Sequence, residues 1–404
     1  MFFLDNKLER LAAELRSAQN IPMDIRLWNG KTYTLGDQPK VTIKVPKARS
    51  LSYLIAPDLM KLGEAYVEGH IEVEGRLSDI FRVGEQLARN AAGGSRVAGL
   101  KRMVTHTRSR DRKAIQYHYD VSNEFYSLFL DPNMVYSCAY FGADTDSLAR
   151  AQERKIDHIL TKLQVKPGDR LLDVGCGWGA LIIRAAKKFG ATATGITLSE
   201  NQYALAKERI KAAGIEDRCE VRLQDYRDVP GDGLYDKIAS VGMFEHVGLK
   251  NLPAYFKKMQ SLLADGGLAL NHGITSADPE SGVVGLGAGD FIDRYVFPNG
   301  ELPHISLVTK EMSAAGFEVA DVESLRRHYA RTCAIWADSL ERNKDRAIAI
   351  AGDRRYRIWS LYLIGCAHAF ANNWINIYQV LAGKDGGVGA NPLPMTRDYM
   401  YASS

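Results

Sequence analysis

The chain has 404 residues, of which 46% are hydrophobic and 25% charged, a balance typical of globular proteins that excludes a fibrous or low-complexity chain. Its net charge of +4 is too small to indicate nucleic acid as a partner. No stretch approaches the roughly 18 consecutive apolar residues of a membrane-spanning helix, and acidic residues near the N-terminus argue against a signal peptide. The five cysteines are scattered without C-x-x-C spacing, which predicts a cytoplasmic location and no metal site.

Residues 1–94 predict a small α+β domain, and residues 95–114 a basic linker. The elements expected in the domain are a helix over 1–20, strands at Asp24–Trp28, Thr32–Leu35 and Val41–Val45, a helix over Ser50–Tyr66 and a strand at Gly69–Val73. Seven Lys or Arg residues and one acid lie between Arg96 and Lys113. Such a cluster is typical either of a solvated linker or of a segment held by anionic lipid headgroups, at about 1 kcal/mol per basic residue.

Residues 115–404 predict an α/β catalytic domain. The strands expected are Arg170–Val174, Thr192–Thr197, Cys219–Leu223, Tyr235–Val241 and Gly267–Gly273, and the helices 147–163, Gly179–Phe189, Glu200–Ala213 and Leu252–Leu263. Because strands alternate with helices, a mostly parallel sheet covered on both faces is expected, as in Rossmann-like folds.

The loop Asp173–Gly179 ends the first of these strands and opens a helix. Its pattern, D-x-G-x-G-x-G, differs from the G-x-G-x-x-G of dinucleotide sites, and the segment Thr197–Gln202 lacks the acid that binds a ribose in NAD enzymes. The pattern is instead the usual first motif of class I methyltransferases that use S-adenosylmethionine (SAM). Asp225 could accept from an adenine amino group, with Tyr226 beside the base. The sequence therefore predicts a SAM site.

Further strings occur in the order found in one enzyme family. They are YHYD at 117–120, YSCAYF at 136–141, GITLSENQ at 195–202, LQDYRD at 223–228, SVGMFEHVG at 240–248 and YVFPNG at 295–300. Through them residues 115–380 resemble the cyclopropane-fatty-acid synthases, and the first 110 residues more loosely resemble the small lipid-binding domain of longer bacterial members. The resemblance implies transfer of a one-carbon unit from SAM to the cis double bond of an unsaturated phospholipid acyl chain, at the surface of an anionic membrane.

The resemblance also implies the residues of two sites. The SAM site would comprise Tyr136, Ser137, Asp173, Val174, Gly175, Cys176, Gly177, Trp178, Gly179, Thr197, Leu198, Ser199, Gln202, Asp225 and Tyr226. A bicarbonate ion would be held by Cys138, Glu245, His272, the backbone at Ile274, and Tyr329. Cys366 corresponds to a C-terminal cysteine sometimes proposed as the active residue, although its apolar surroundings equally indicate packing.

The chemistry of an alkene explains why such residues are needed. An alkene attacks the sulfonium methyl group, a carbocation forms, and a proton must leave the added methyl group before the ring closes. The site needs a dry cavity and one base rather than an activated nucleophile. Tyr329, His272 and, weakly, Cys138 can donate to bicarbonate, and Glu245 can accept its proton. Each could instead serve packing or helix capping. The aromatic residues that could face the cation are Tyr140, Phe141, Tyr295 and Phe297.

Two features leave the product and substrate access open. The stretch Thr275–Tyr295 is rich in glycine without a clear period, and we interpret it as a possible gate for the acyl chain. The stretch Ala369–Gln379 lacks an arginine pair that the family carries there. The alternatives are a lipid C-methyltransferase that makes a methyl-branched or otherwise modified chain, a small-molecule methyltransferase, and a non-enzymatic lipid-binding protein. The longer family members suggest a homodimer.

Overall fold

The structure of the chain, a computed structural model, describes residues 20–55, 57–91, 122–280, 286–297, 300–384 and 392–401, together with Ala13 and Arg16. Apart from those two positions, the predicted N-terminal helix falls outside the described residues. The basic linker and the YHYD string also fall outside them. No helix in the described part of the chain is long and apolar enough to cross a membrane.

The elements of the described residues are named in chain order. The strands are β1 (Met23–Leu27), β2 (Thr32–Thr34), β3 (Val41–Val45), β4 (Glu72–Glu74), β5 (Arg170–Val174), β6 (Thr192–Thr197), β7 (Cys219–Leu223), β8 (Tyr235–Val241), β9 (Leu263–Ser276), β10 (Phe317–Ser324) and β11 (Ile375–Lys384). The helices are α1 (Leu59–Val67), α2 (Leu77–Ala91), α3 (Asn123–Ser127), α4 (Leu148–Lys162), α5 (Ala180–Phe189), α6 (Glu200–Ala212), α7 (Leu252–Leu262), α8 (Ala288–Tyr295), α9 (Ile305–Ala314), α10 (Arg326–Arg342), α11 (Lys344–Ala351) and α12 (Asp353–Ala371).

The chain divides into two compact units. The first comprises Met1–Lys101, Val284–Val296 and Ala337–Cys366, and the second comprises Arg102–Val283, Phe297–Trp336 and Ala367–Ser404. The first unit therefore combines the N-terminal part of the chain with helices from far along the sequence. The domain limits at 94 and 114 stay a prediction, because the linker between them lies outside the described residues.

In the first unit the described strands form a sheet in the order β2-β1-β3-β4. β1 and β3 are parallel, and alternate residues of both strands are buried in one core. From α8, Phe291 packs so closely on α1 that a Cβ atom at Gly63 would lie 2.7 Å from its ring. Arg357 of α12 binds Glu72 of β4 at 2.9 Å. Helices distant in sequence thus pack against the N-terminal elements of this unit.

Two predictions for the first unit are wrong. The single helix over Ser50–Tyr66 is instead a 3-10 turn at Ala48–Leu54 followed by α1, because Ile55 is extended and Pro57 cannot donate a backbone hydrogen bond. The stretch read as aperiodic contains α8, in which Phe291 and Tyr295 are buried one helical turn apart. The proposed gating role of that stretch is not tested by this.

The second unit confirms the predicted fold class. Within the described residues its sheet has the order β10-β11-β9-β8-β5-β6-β7. β9, β8, β5, β6 and β7 pair in parallel, and β11 pairs antiparallel with β9 and β10. The central strands β5, β6 and β8 are buried almost throughout, since α4 and α5 cover one face and α7 and α9 the other.

The C-terminal segment completes the edge of this sheet, although the sequence offers no motif there. Arg397 Nε donates to Asp321 of β10 at 2.7 Å, and the Tyr399 hydroxyl donates to the backbone oxygen of Lys162 at 3.2 Å. Met400 is buried in the core beneath α4 and α5. Residues 392–401 are therefore part of the folded unit and not a free tail.

Candidate active site

An open cleft lies in the second unit beyond the carboxyl ends of β5, β6 and β8. Ligands of parallel α/β sheets bind at this edge. The predicted SAM residues that line it are Tyr136, Ser137, Asp173, Val174, Gly175, Cys176, Gly177, Trp178, Thr197, Leu198, Gln202 and Tyr226. Gly179, Ser199 and Asp225 are not among the lining residues.

The glycine loop turns in a way that only glycine adopts easily. Gly175, Gly177 and Gly179 have φ angles of 85°, 53° and 83°, which side chains disfavour. The backbone N–H groups of Gly175 and Cys176 both donate to the Ile196 oxygen at 3.0 Å, which ties the loop to β6. Gly179 precedes the first residue of α5 and so acts as its N-cap. The loop therefore brings bare backbone to the cleft wall.

Trp178 is fixed from two sides. Its indole Nε1 donates to Asn123 Oδ1 of α3 at 2.8 Å, and its ring meets the edge of Tyr126 with the centroids 5.1 Å apart. Arg209 of α6 donates to its backbone oxygen at 3.1 Å. This explains why a large aromatic residue can stand inside the glycine loop without disordering it.

The segment after β6 is held by its own side chains. The Thr197 hydroxyl donates to the Gln202 amide oxygen at 2.8 Å and accepts from the Ser199 N–H at 3.2 Å. Ser199 caps α6 by accepting from the Gln202 N–H at 3.3 Å. Ser199 thus shapes the cleft from behind, while Thr197 and Gln202 face it.

The segment after β7 places Tyr226 on the cleft wall, edge-on to Tyr255 with centroids 5.3 Å apart. The carboxylate of Asp225 accepts from the Arg227 N–H at 2.9 Å and binds the Arg227 guanidinium at 2.6 Å. An adenine amino group could make the predicted contact with Asp225 only by sharing its carboxylate with Arg227. The neighbouring Gln224 lines the cleft instead, and the sequence reading did not select it.

Lys155 is a lining residue that sequence reasoning missed. It lies on α4 and is only 2% exposed. Burial lowers the pKa of its ammonium group to about 8, opposed by the charges of Asp131 and Asp173. A signal was present, because Gln152, Lys155 and Lys162 recur with helical spacing on one face. His246 and Met243 also line the cleft unpredicted.

Glu245, His272 and Ile274 meet where β9 passes the 3-10 turn Phe244–His246. Glu245 Oε1 accepts from the Ile274 N–H at 2.6 Å, and the backbone oxygen of His272 accepts from the Gly242 N–H at 2.8 Å. His272 does not end its strand as expected. It lies inside β9, and its Nδ1 is 3.1 Å from Gln379 Nε2 on the neighbouring β11.

Cys138 and Tyr329 meet at the residue that follows β10. The backbone oxygen of Leu325 accepts from the Tyr329 N–H at 3.0 Å and from the Cys138 thiol at 3.7 Å. The Leu325 N–H donates to Ile377 of β11, which is the register partner of Ile274. The structure thus brings Glu245, His272 and Ile274 together and links Cys138 and Tyr329 to β11 only indirectly, through the backbone of Leu325. None of the five residues lines the cleft itself.

Burial disfavours the charged forms of Glu245, His272 and Cys138. Burial raises the pKa of Glu245 to about 7 and lowers that of His272 well below its usual value, an effect to which Lys155 and Lys162 add. Burial also places the pKa of the Cys138 thiol far above neutral pH. Among the described residues, Glu245 Oε2 and His272 Nε2 are buried without a hydrogen-bond partner. Such orphaned atoms are costly, and they can be satisfied by a water molecule or by a small polar ligand.

The aromatic residues expected to face a cation have other contacts. Tyr140 donates to Glu323 at 3.3 Å, and Phe141 lies beneath the Arg331 guanidinium at 4.2 Å. Tyr295 lies in the first unit, where it donates to Glu68. Phe297 lies beside a cleft residue, 5.3 Å from His246 between ring centroids. Their predicted role stays untested.

Cys366 lies on α12 in the part assigned to the first unit. Burial raises the pKa of its thiol to about 12, so it carries no thiolate at neutral pH. This favours the packing interpretation, and its catalytic role remains a prediction.

Comparison with known proteins decides the family. The family model described as mycolic acid cyclopropane synthetase matches residues 106–380. The chain belongs to the mycolic acid cyclopropane synthetase family. A second model, described as a domain of unknown function, matches residues 11–93.

Three relatives illustrate the range of this family. A protein named probable fatty acid methyltransferase, from Pseudomonas putida, is 46% identical over 98% of this chain and 100% of its own length. Hydroxymycolate synthase MmaA4 of Mycobacterium tuberculosis is 36% identical over 70% of this chain and 96% of its own. The crystal structure of mycolic acid cyclopropane synthase CmaA1 complexed with SAH and CTAB is 38% identical, with a TM-score of 0.64 over 68% of this chain and 98% of that one.

Membership in the mycolic acid cyclopropane synthetase family makes the chain a SAM-dependent methyltransferase that modifies lipids. The cleft fits this cofactor. Its glycine loop brings backbone close to a ligand, and the buried Oδ1 of Asp173 has no hydrogen-bond partner in the described part of the chain. Burial raises the pKa of Asp173 to about 7, and a bound ammonium group would restore its charge.

Proposed function

We propose that this methyltransferase adds the SAM methyl carbon to the cis double bond of a phospholipid acyl chain and closes a cyclopropane ring, with bicarbonate as the base. The observation that carries the proposal is the pair of orphaned buried atoms, Glu245 Oε2 and His272 Nε2. They provide one acceptor and one further polar position in a site where charge is disfavoured.

The residues present fit a small oxyanion. With the Gln379 amide donating to His272 Nδ1, the hydrogen of the neutral imidazole lies on Nε2, which can donate. Glu245 Oε2 can accept the proton of bicarbonate, while the Ile274 N–H orients the carboxylate through Oε1. In this proposal Ile274 acts through Glu245. Bound bicarbonate would supply a mobile base for the proton that leaves the added methyl group.

The same surroundings argue against nucleophilic catalysis by a thiol. Cys138 is fully buried, and its Sγ lies 3.3 Å from the backbone oxygen of Ala139, to which it can donate. A thiolate, not a thiol, is the nucleophile in cysteine chemistry. An alkene and a sulfonium group need no such nucleophile. In this proposal Tyr329 is a further donor to the ion, and Cys138 could donate to it only by giving up its contact with Ala139.

A methyl-branched product is the second candidate. The Pseudomonas putida relative is named a probable fatty acid methyltransferase rather than a cyclopropane synthase. The stretch Ala369–Gln379 also lacks the arginine pair of the resembling family. Both products start from the same carbocation. Loss of a proton from the added methyl group with ring closure gives the cyclopropane, whereas a saturated methyl branch also requires a hydride from a reductant and carries two more hydrogen atoms.

Isotope transfer tests the product directly. Purified protein with bicarbonate, unsaturated phospholipid vesicles and SAM labelled with a trideuteriomethyl group should yield acyl chains that gain one carbon and keep two deuterium atoms. Ring protons should appear upfield in the proton NMR spectrum. A product that gains one carbon without upfield ring protons, and that takes up two further hydrogen atoms when a hydride donor is supplied, would contradict ring formation and support the branched alternative. Unchanged lipids would contradict both.

We also propose that the protein acts at the cytoplasmic surface of an anionic membrane, because its substrate lies in a bilayer. We propose further that it is a homodimer, as the longer members of the resembling family suggest. In the first unit, Trp28 is 38% exposed just beyond β1, and exposed Lys47 follows the adjacent end of β3. An aromatic ring beside basic side chains suits a lipid headgroup region. Light scattering of purified protein that gave the monomer mass would contradict the dimer.

Vesicle sedimentation tests the membrane contact. Binding should increase with the fraction of anionic lipid and should weaken between low and physiological salt, because screening shortens the reach of surface charges. Trp28→Ala should reduce binding at every salt concentration. Binding that ignored salt and lipid charge would count against the proposal.

A further inference from the structure

Lys155 is a buried cleft residue that has no role in the proposed reaction. Its Nζ donates to Ser137 Oγ at 2.7 Å, and this is its one side-chain hydrogen bond within the described residues. A lysine ammonium has three donors, and a buried one pays for each that stays unmade. Lys155 also lines the cofactor cleft. Its remaining donors therefore suit an anion or water in that cleft.

Ser137 is positioned to extend this donor. Its backbone oxygen accepts from Gln152 Nε2 of α4 at 2.8 Å, which fixes the residue against the helix that carries Lys155. Because the lysine donates to Oγ, the hydroxyl hydrogen of Ser137 is left to be donated elsewhere. Ser137 lines the same cleft, so an acceptor there would meet both a hydroxyl donor and a nearby positive charge.

A complementary group stands beside this pair. Asp173 lines the cleft, and its buried Oδ1 has no hydrogen-bond partner among the described residues. Asp173 lies on β5, whereas Tyr226 follows β7, two strands away in the sheet, or about 10 Å. An adenosine held near Tyr226 would thus leave its other end near Asp173, Ser137 and Lys155.

We infer that Lys155 is a positioning residue for the amino-acid end of SAM. Through Ser137 it presents a hydroxyl donor and a positive charge to the α-carboxylate, while Asp173 faces the α-ammonium group. This arrangement also explains how a lysine is tolerated in a cleft for a sulfonium cation, since the carboxylate offsets its charge. The inference rests on the methyltransferase assignment and not on the identity of the lipid product.

Calorimetry with two ligands tests this role. S-adenosylhomocysteine (SAH) carries the amino-acid end, and 5′-methylthioadenosine lacks it. Lys155→Met should weaken SAH binding about tenfold to a hundredfold, the loss expected for a charge-assisted contact, and should leave methylthioadenosine binding within about twofold. Ser137→Ala should show the same selectivity, and the double variant should lose little more than the worse single variant, because the two residues act as a unit.

Other results would overturn the inference. Equal weakening of both ligands by Lys155→Met would mean that Lys155 only offsets the buried charges of Asp131 and Asp173, which is a structural role. Unchanged SAH affinity in Ser137→Ala would also overturn it, and this variant keeps the buried lysine if Lys155→Met fails to fold. Since neither measurement involves a lipid, failure here is distinct from failure of the proposed reaction.

Discussion

Replacing Glu245 by glutamine should lower turnover by about two to three orders of magnitude, the usual cost of losing one preorganised polar group or a general base. The glutamine oxygen can still accept from the Ile274 N–H, which bonds Glu245 Oε1 at 2.6 Å. What is lost is the second carboxylate oxygen, which has no hydrogen-bond partner among the described residues. SAM affinity should change little, because Glu245 does not line the cofactor cleft.

The same substitution should make the protein more stable at alkaline pH. Burial raises the pKa of Glu245 from 4.5 to about 7, so the folded state holds this proton more tightly than the unfolded state. That contribution to stability is complete below pH 4.5 and is lost as the pH rises through 7. Glutamine removes the loss, so the variant should gain up to about 3 kcal/mol over the wild type at pH 8 and nothing at pH 4.

Denaturant unfolding at the two pH values measures this difference, and fatty-acid analysis measures turnover. Glu216→Gln is the matched control, because Glu216 is an exposed glutamate in the same unit. It should leave both quantities unchanged. Wild-type turnover in Glu245→Gln would refute the assignment of Glu245, whatever the effect on stability.

Gly273→Ala should destabilise the protein by about 3 kcal/mol or more, because it overpacks a full core. A Cβ atom at Gly273 would lie 1.8 Å from Cε1 of Phe244, whose ring is buried. Gly273 is paired with Tyr378 inside the sheet, so its backbone cannot withdraw. Phe244 would have to move, and with it the adjacent Glu245. Thermal unfolding and turnover should therefore fall together.

Gly383→Ala is a matched control in the neighbouring strand β11. A Cβ atom there would be 3.7 Å from the nearest atom, Leu268 Cδ2, which is ordinary contact. Gly383→Ala should therefore lower the free energy of unfolding only slightly. The double variant Gly273→Ala/Phe244→Ala should lose less stability than the sum of the two single variants, because Phe244→Ala removes the ring with which the new Cβ atom at position 273 clashes. A Gly273→Ala protein as stable as the wild type would show that the ring is not fixed where the structure has it.

Local sequence was enough to determine the methyltransferase half of the fold and most of its cofactor cleft. The strands β5, β6 and β7 are short and alternate with helices, and Asp173–Gly179 carries its own conformation because three glycines permit positive φ angles. Each of these signals lies within about ten residues of chain. The full set of fifteen SAM residues came from the resemblance to a known family and not from these local signals, and twelve of them line the cleft.

Only the tertiary structure decided what depends on residues far apart in sequence. Gln379 meets His272 across a strand pair 107 residues apart, and Lys155 faces the cleft because α4 turns its polar stripe inward. Helices α8, α11 and most of α12 belong to the same compact unit as the N-terminal strands. Such pairings leave no local period, since each half is stabilised by burial against a partner that the neighbouring sequence does not contain.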